Sequence, residues 1–317
     1  MHERWIHRAA SRVSRLTLSG LFMFLAASAQ ASDPGGAGFL SLRLGTGARY
    51  AGMGDAGVSL ARDATAVYWN PAGLASVGTT SLALQHNEWL QTVRVETAAL
   101  AHATSLGVFG LYFSGMYTDE IERTTIASST PEGTFNVYEV AVQGAYGRSL
   151  ARSEKLGDLD VGLGFKGLFS GLDDDTANGW AVDVGARLRS RLPGLTFAAA
   201  GQHLGPEITF VAEPFQLPAT LRVGADYQRS VPAYRSDFVV AYDLEVVNDD
   251  DLRNHFGVEW TYLELVSLRG GVKTGFDSQN GSFGVGVRRG GYRFDYGFTA
   301  IDNDLGNVHR FSIGIDL

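Results

Sequence analysis

Residues 281–300, GSFGVGVRRGGYRFDYGFTA, alternate apolar with small or charged side chains through two successive runs joined at Gly290-Gly291. Phe283, Val285 and Val287 oppose Ser282, Gly284, Gly286 and Arg288; Tyr292, Phe294, Tyr296 and Phe298 oppose Arg293, Asp295, Gly297 and Thr299. A period of two marks a β-strand with two unlike faces. On either side the pattern repeats: Phe311, Ile313, Ile315 and Leu317 against Arg310, Ser312, Gly314 and Asp316, and Phe256, Val258, Trp260 and Tyr262 against His255, Gly257, Glu259 and Thr261.

Extended toward the N-terminus, the pattern predicts fourteen strands, near 80–88, 92–103, 105–119, 134–149, 157–171, 177–190, 194–204, 218–229, 233–246, 252–263, 265–276, 281–289, 291–301 and 307–317. Connections alternate between short ones (Thr104-Ser105, Leu192–Gly194, Leu263-Glu264, Gly290-Gly291) and longer polar ones (Glu120–Gly133, Gly205–Leu217, Asn248–Asp251, Asp302–Gly306), with the six residues Ala151–Leu156 as the exception. An even strand number, with tight turns at one end and longer loops at the other, is the pattern of an outer-membrane barrel. Strands of about 9–11 residues cross a bilayer at a tilt. Aromatics near strand ends (Trp89, Tyr117, Tyr146, Trp180, Tyr227, Trp260, Tyr262) suit interfacial girdles. A soluble exported β protein would also alternate, but seldom needs so many long strands in succession.

The N-terminus carries Arg4, Arg8, Arg12 and Arg15, an apolar stretch from Leu16 to Ala27, and Ala29-Gln30-Ala31, which together read as a secretory signal peptide over residues 1–31. Removing it takes away four arginines and one glutamate and leaves 22 basic and 33 acidic residues, a net charge of −11. Nucleic acid is thereby excluded as a partner. With no cysteine in the chain there is neither a disulfide framework nor thiolate chemistry. No later stretch is long and apolar enough for a membrane helix.

If the apolar faces meet lipid, the lumen is lined by Arg94, Glu96, Glu139, Gln143, Lys166, Asp183, Arg187, Arg222, Asp226, Asp243, Glu245, Glu259, Arg269, Lys273, Arg288, Arg293 and Asp295. Gly162, Gly164, Gly185, Gly224, Gly257, Gly271, Gly284, Gly286 and Gly297 share that face, and small residues there let another backbone approach closely. Paired charges and glycines suit an occupied barrel better than an open pore. The occupant is the stretch Gly45–Leu74, GTGARYAGMGDAGVSLARDATAVYWNPAGL, which is too rich in small residues to make a core of its own.

The succession Gly45-x-Gly47-Ala48-Arg49, Gly52-Met53-Gly54, Ala61-x-Asp63-Ala64 and Tyr68-Trp69-Asn70-Pro71-Ala72-Gly73-Leu74 resembles the N-terminal signature of the PorV/PorQ family, in the FadL-like superfamily of outer-membrane proteins. The resemblance is specific over residues 38–75, and beyond them rests on the strand count. It implies an all-β chain: a 14-stranded antiparallel transmembrane β-barrel (79–317) with an N-terminal Gly-rich plug, or hatch (32–78), inside the lumen. It puts Gly52, Gly54, Tyr68, Trp69, Asn70, Pro71, Ala72 and Gly73 at the heart of that plug. In FadL-like transporters the plug closes the pore and hydrophobic substrates leave sideways, whereas PorV-type members serve type IX secretion. Locally, Pro71 removes a donor and biases Asn70 away from helix, and Asn70 can satisfy neighbouring backbone as an Asx-turn. A short helix is predicted over Ala56–Val67, with Arg62 and Asp63 exposed.

Gly52-Met53-Gly54-Asp55-Ala56-Gly57 spells G-x-G-x-x-G, but no parallel strand precedes it and no βαβ unit surrounds it. Asp173–Asp175 and Asp249–Asp251 lack EF-hand spacing and read as solvated loop tips, with bridging of lipopolysaccharide through divalent ions as their sharper reading. The histidines show no metal spacing and no nucleophile–base constellation is evident, so neither enzyme activity, a metal nor a cofactor is expected. The expected role is movement of a hydrophobic small molecule across or into the outer membrane. The alternative is a non-transporting platform for the proteins of a type IX-like secretion apparatus. The surrounding partner is membrane lipid, with lipopolysaccharide. An internal apolar pocket or gate is sought at Leu106, Phe109, Leu111, Phe113, Phe165 and Phe169, because Leu106–Met116 is apolar on both faces.

Overall fold

The computed structural model describes residues 37–90, 92–124, 130–248, 250–276, 278–301 and 306–317. The expected signal peptide, the start of the expected plug and Asp249 lie outside the described residues. Fourteen strands close into one barrel: β1 Thr80–Glu88, β2 Arg94–Thr104, β3 Gly107–Tyr117, β4 Val137–Ser153, β5 Gly157–Leu172, β6 Asp175–Ser190, β7 Leu195–Leu204, β8 Thr220–Val231, β9 Ser236–Val247, β10 Arg253–Tyr262, β11 Val266–Thr274, β12 Gln279–Arg289, β13 Tyr292–Ile301 and β14 Val308–Asp316. Each strand pairs antiparallel with its sequence neighbour, and β14 closes on β1 from Ser81↔Asp316 to Glu88↔His309. The barrel therefore has no free edge.

At one end the connections are tight: Ser105-Leu106, 154–156, 191–194, 232–235, 263–265 and Gly290-Gly291. Gly290 and Gly291 both have positive φ (57° and 84°), the conformation a two-residue hairpin with matching twist requires. At the other end, 118–136 and 205–219 are long, and each carries a small hairpin (Ile121–Arg123 with Gly133–Phe135; Ile208–Phe210 with Glu213–Phe215). These ends are the turn side and the loop side below. The six-residue connection expected at Ala151–Leu156 is in fact strand followed by a three-residue turn. β4 runs on to Ser153 by slipping its register on β5 between Ser149 and Ala151, a bulge that absorbs the extra residue.

The wall is inverted relative to a water-soluble protein. Phe109, Leu111, Phe165, Phe238, Val258, Leu268, Phe283, Phe294 and Ile313 stand on the outer face, 40–60% exposed, whereas Gln143, Lys166, Asp183, Arg187, Arg222, Asp243, Glu245 and Arg310 are buried inside. Apolar side chains project outward because lipid is their solvent. The chain is a transmembrane β-barrel, which leaves no place for the soluble alternative. Two expected lumen residues face the other way. β2 points Val95, Thr97, Ala99 and Ala101 inward, so Arg94 and Glu96 lie on the outer face. The small inward residues make room for the aromatic cluster inside, which outweighs the usual polarity of the two faces. Trp89 likewise stays off the outer girdle and lies against the Arg310 guanidinium, 5.7 Å from it.

Candidate functional site

Residues 37–78 lie within the barrel and are almost wholly buried. The stretch enters at the loop side, where Ala37 bridges Gln216 and the Gly38 amide donates to the Gln216 carbonyl at 3.1 Å. It leaves at the turn side into β1. Its regular structure is slight: helical turns at Ala48–Ala51 and Ala66–Trp69, and 3-10 turns at Leu40–Arg43 and Pro71–Ser76. The helix expected over Ala56–Val67 is absent. Its backbone donors go elsewhere: the Gly57 and Val58 amides donate to one Asp243 oxygen at 2.7 and 2.8 Å, and the Thr65 amide to Asp63 Oδ1 at 2.9 Å.

Asn70 shows why the motif needs its residues. Its backbone is extended (φ −165°), its Oδ1 accepts from the Ala72 amide at 3.0 Å, and its Nδ2 donates toward the carbonyls of Val58 (3.2 Å), Ala186 (3.3 Å) and Ala199 (3.4 Å). One amide thus ties two parts of the inner stretch to strands β6 and β7, meeting the demand that buried irregular backbone be satisfied. Trp69, fully buried, donates from Nε1 to the Thr46 carbonyl at 2.8 Å, with Tyr68 edge-on at 5.1 Å and the Arg222 guanidinium 5.1 Å from its ring. Tyr68 donates to the Leu42 carbonyl at 3.1 Å. Pro71 starts the 3-10 turn, where its missing donor is no loss. At Gly73 an added Cβ would overlap the Ala61 carbonyl.

Of the nine glycines expected on the inner face, seven carry the inner stretch directly. Cβ atoms added at Gly162, Gly185, Gly224, Gly257, Gly271, Gly284 and Gly297 would meet Pro71, Asn70, Val58, Met53, Gly54, Gly52 and Ala48 respectively. Gly164 and Gly286 instead make room for wall side chains, Gln143 and Arg269. Gly52 and Gly54 rest on the walls at Gly284 and Val272, so the G-x-G-x-x-G string is close packing with turn chemistry.

Ion pairs fasten the stretch around the circumference. Asp55 takes Arg310 at 2.8 Å and also Lys273. Arg49 binds Glu259 through two parallel bonds of 2.9 and 2.7 Å, and Glu259 is shared with Arg269. Asp63 meets Arg293 at 2.6 Å, Arg62 meets Asp226 at 2.9 Å, and Arg43 pairs with Asp250 at the loop side. Burial alone would raise the Asp55 carboxyl, but Arg310 and Lys273 override it and hold it well below the ordinary carboxylate range. Asp63 follows the same logic: burial raises it, and Arg293 more than reverses that. Burial pushes the Tyr50 phenol up to about 12. Arg62 and Asp63 are therefore latches, not the exposed residues expected. Neither they nor Arg49 and Asp55 stood out as site residues in the sequence; the available signal was four charges isolated in a stretch otherwise made of small residues.

The six residues named for an internal apolar pocket take the opposite side of the wall. Leu106, Phe109, Leu111, Phe113, Phe165 and Phe169 are 43–67% exposed on the outer surface, while their neighbours Tyr112 and Ser114 point in. Alternation does hold through β3; Tyr112 turns its apolar ring toward Tyr68 (5.8 Å between centroids) and its hydroxyl toward Thr46 (2.7 Å). The lumen's open space is polar instead: a cavity of about 610 Å³ at the turn side, lined by Arg62, Asp63, Glu259, Arg269, Arg288 and Asp295 among others.

With this geometry in hand, known proteins offer a frame. The model of an uncharacterised protein family, UPF0164, matches residues 22–166. No curated protein sequence matches the chain. Among solved structures, the toluene transporter TbuX of Ralstonia pickettii aligns at a TM-score of 0.54 and 15% identity, over 86% of this chain and 97% of that one. The toluene transporter TodX of Pseudomonas putida aligns at 0.58 and 12%, over 85% and 96%. The deltaS2 mutant of the TodX monoaromatic hydrocarbon channel gives 0.52 and 13%, over 85% and 97%. At such identities the likeness shows the fold alone, a closed barrel spanning nearly the whole of each of those chains.

Proposed function

We propose that this chain is an outer-membrane barrel of the FadL-like type in which residues 32–78 act as a plug, and that it admits a hydrophobic small molecule. One observation carries the reading: a stretch of the chain's own backbone occupies the lumen and, apart from its continuation into β1, is held to most of the strands by reversible contacts, hydrogen bonds and ion pairs, with no disulfide. A closed barrel with a detachable occupant is a gate. The solved barrels it resembles bear the names of toluene transporters and a monoaromatic hydrocarbon channel, which supports an apolar cargo.

A second reading, the PorV/PorQ-type platform for a secretion apparatus, draws on a different observation. Every neighbouring strand pair is hydrogen-bonded, β3 to β4 from Val108↔Gly147 through Tyr117↔Tyr138 without a break, and the candidate apolar residues stand outside. Uptake of radiolabelled toluene by cells with and without the protein separates the two. Uptake above background supports transport; background uptake, with the protein heat-modifiable in the outer-membrane fraction and co-purifying with exported proteins, transfers the assignment to the platform.

A further inference from the structure

The apolar outer wall carries an acidic patch near its loop side. Among the described residues of the fourteen strands, Glu88 and Glu96 are the only carboxylates directed outward, and two outward histidines, His86 and His309, sit beside them on β1 and β14. His86 Nδ1 lies 2.6 Å from Glu96 Oε1 and its Nε2 3.7 Å from Glu88 Oε1. Glu88 faces His309 directly across the β1–β14 pair, and Tyr117 and Tyr296 add hydroxyls at 3.4 Å from Glu96 and 2.9 Å from His309. The nearby outward cation, Arg94, is taken up by Asp119 at 2.9 Å, so the formal charge of the patch is negative. Glu88 and Glu96 are 61% and 41% exposed. Carboxylates on a lipid-facing wall are costly unless something meets them.

Beneath this patch a groove of about 720 Å³ runs along the same wall, lined by Leu84, Ala98, Phe113, Phe294, Phe311 and Ile313, with His86 and Glu96 at its upper end. An apolar trough ending in two carboxylates, whose nearby partners are a shared histidine and a tyrosine hydroxyl, complements a molecule with an alkyl chain and a cationic head. We propose that the groove holds a membrane lipid with a primary-ammonium headgroup, its chain along Phe113, Phe311 and Ile313 and its ammonium donating to Glu96 and Glu88. The site depends only on the barrel and its lipid-facing wall, not on whether the lumen transports.

Native mass spectrometry of the full-length protein in detergent, given equal phosphatidylethanolamine and phosphatidylglycerol, tests this. Charge-assisted hydrogen bonds lead to an expected preference of about tenfold for phosphatidylethanolamine. The E88Q/E96Q variant should bring the two lipids to parity, and A98F, which fills the groove and leaves both carboxylates, should lower phosphatidylethanolamine retention. Heat-modifiable migration of each variant confirms that the barrel is folded. Equal retention by the wild type, an unchanged preference in E88Q/E96Q, or a dimer that dissociates in that variant (a second copy as the occupant) each overturns the proposal.

Discussion

Asp55 is the residue on which the inner stretch depends most. It is 6% exposed, has positive φ, and pairs with two buried cations from separate strands, Lys273 on β11 and Arg310 on β14. Removing one partner of a buried charge cluster leaves the others unpaired, so Asp55→Asn should cost about 3–5 kcal/mol. The check is the temperature at which the folded band disappears on unboiled gels. The sign of the pH response follows from the depressed carboxyls of Asp55 and Asp63. A carboxyl whose folded pKa lies below its unfolded value contributes stability that is complete above the unfolded value, about 3.9, and is lost as pH falls through the folded one. Thermal stability should therefore hold from neutrality down to about pH 4 and decline below it. A decline that begins near pH 6 would assign the latch to other groups.

At the scale of elements, the wall is a set of strands whose inner faces are shaped to a backbone. Gly257 and Gly271 sit opposite each other on β10 and β11 and hold the Met53-Gly54 peptide. Gly257→Val must displace that peptide, and overpacking of this kind costs about 1–3 kcal/mol. Planar-bilayer recordings should show raised conductance for Gly257→Val over a closed wild type. Gly144 on the outer face is the control: an added Cβ there meets nothing within 4 Å, so Gly144→Val should leave conductance unchanged and stability within about 0.5 kcal/mol. Equal effects of the two substitutions would mean that the inner glycines serve the strands and not the occupant. Sequence periodicity located every barrel strand, because inward and outward positions demand opposite chemistry at each step. It misassigned Arg94 and Glu96 for the same reason: β2 sets its small residues inward to clear an aromatic cluster, and no pattern within one strand announces what lies across the lumen.

The whole molecule is polarised along its axis. Among the described residues, the loop-side connections contain ten acidic residues and one basic residue, against two acidic and three basic residues in the turn-side connections. Negative charge is therefore concentrated at one end of the barrel. The inner stretch begins at that same end, which gives the topology a direct test in a chain free of cysteine. Leu40→Cys (57% exposed) and Leu252→Cys (51%) should react with an impermeant maleimide on intact cells, and Tyr234→Cys (74%) only after lysis. Labelling of Leu40→Cys only after lysis would reverse the path of the stretch through the barrel. An anionic reagent should react faster at the loop-side cysteines as salt screens the acidic end.

The sequence by itself determined the barrel, its strand count, the glycine-bearing inner face and the need for a guest in the lumen. These are local quantities, set by alternation, strand length and side-chain volume at each position. Only the tertiary structure decided which charges meet, because Asp55 with Lys273 and Arg310, or Arg49 with Glu259, are brought together from over two hundred residues apart by closure of the wall. It also decided that Phe109, Phe113 and Phe165 face lipid and leave the lumen polar. Period two separates two faces but does not label them, and only a closed wall has an inside.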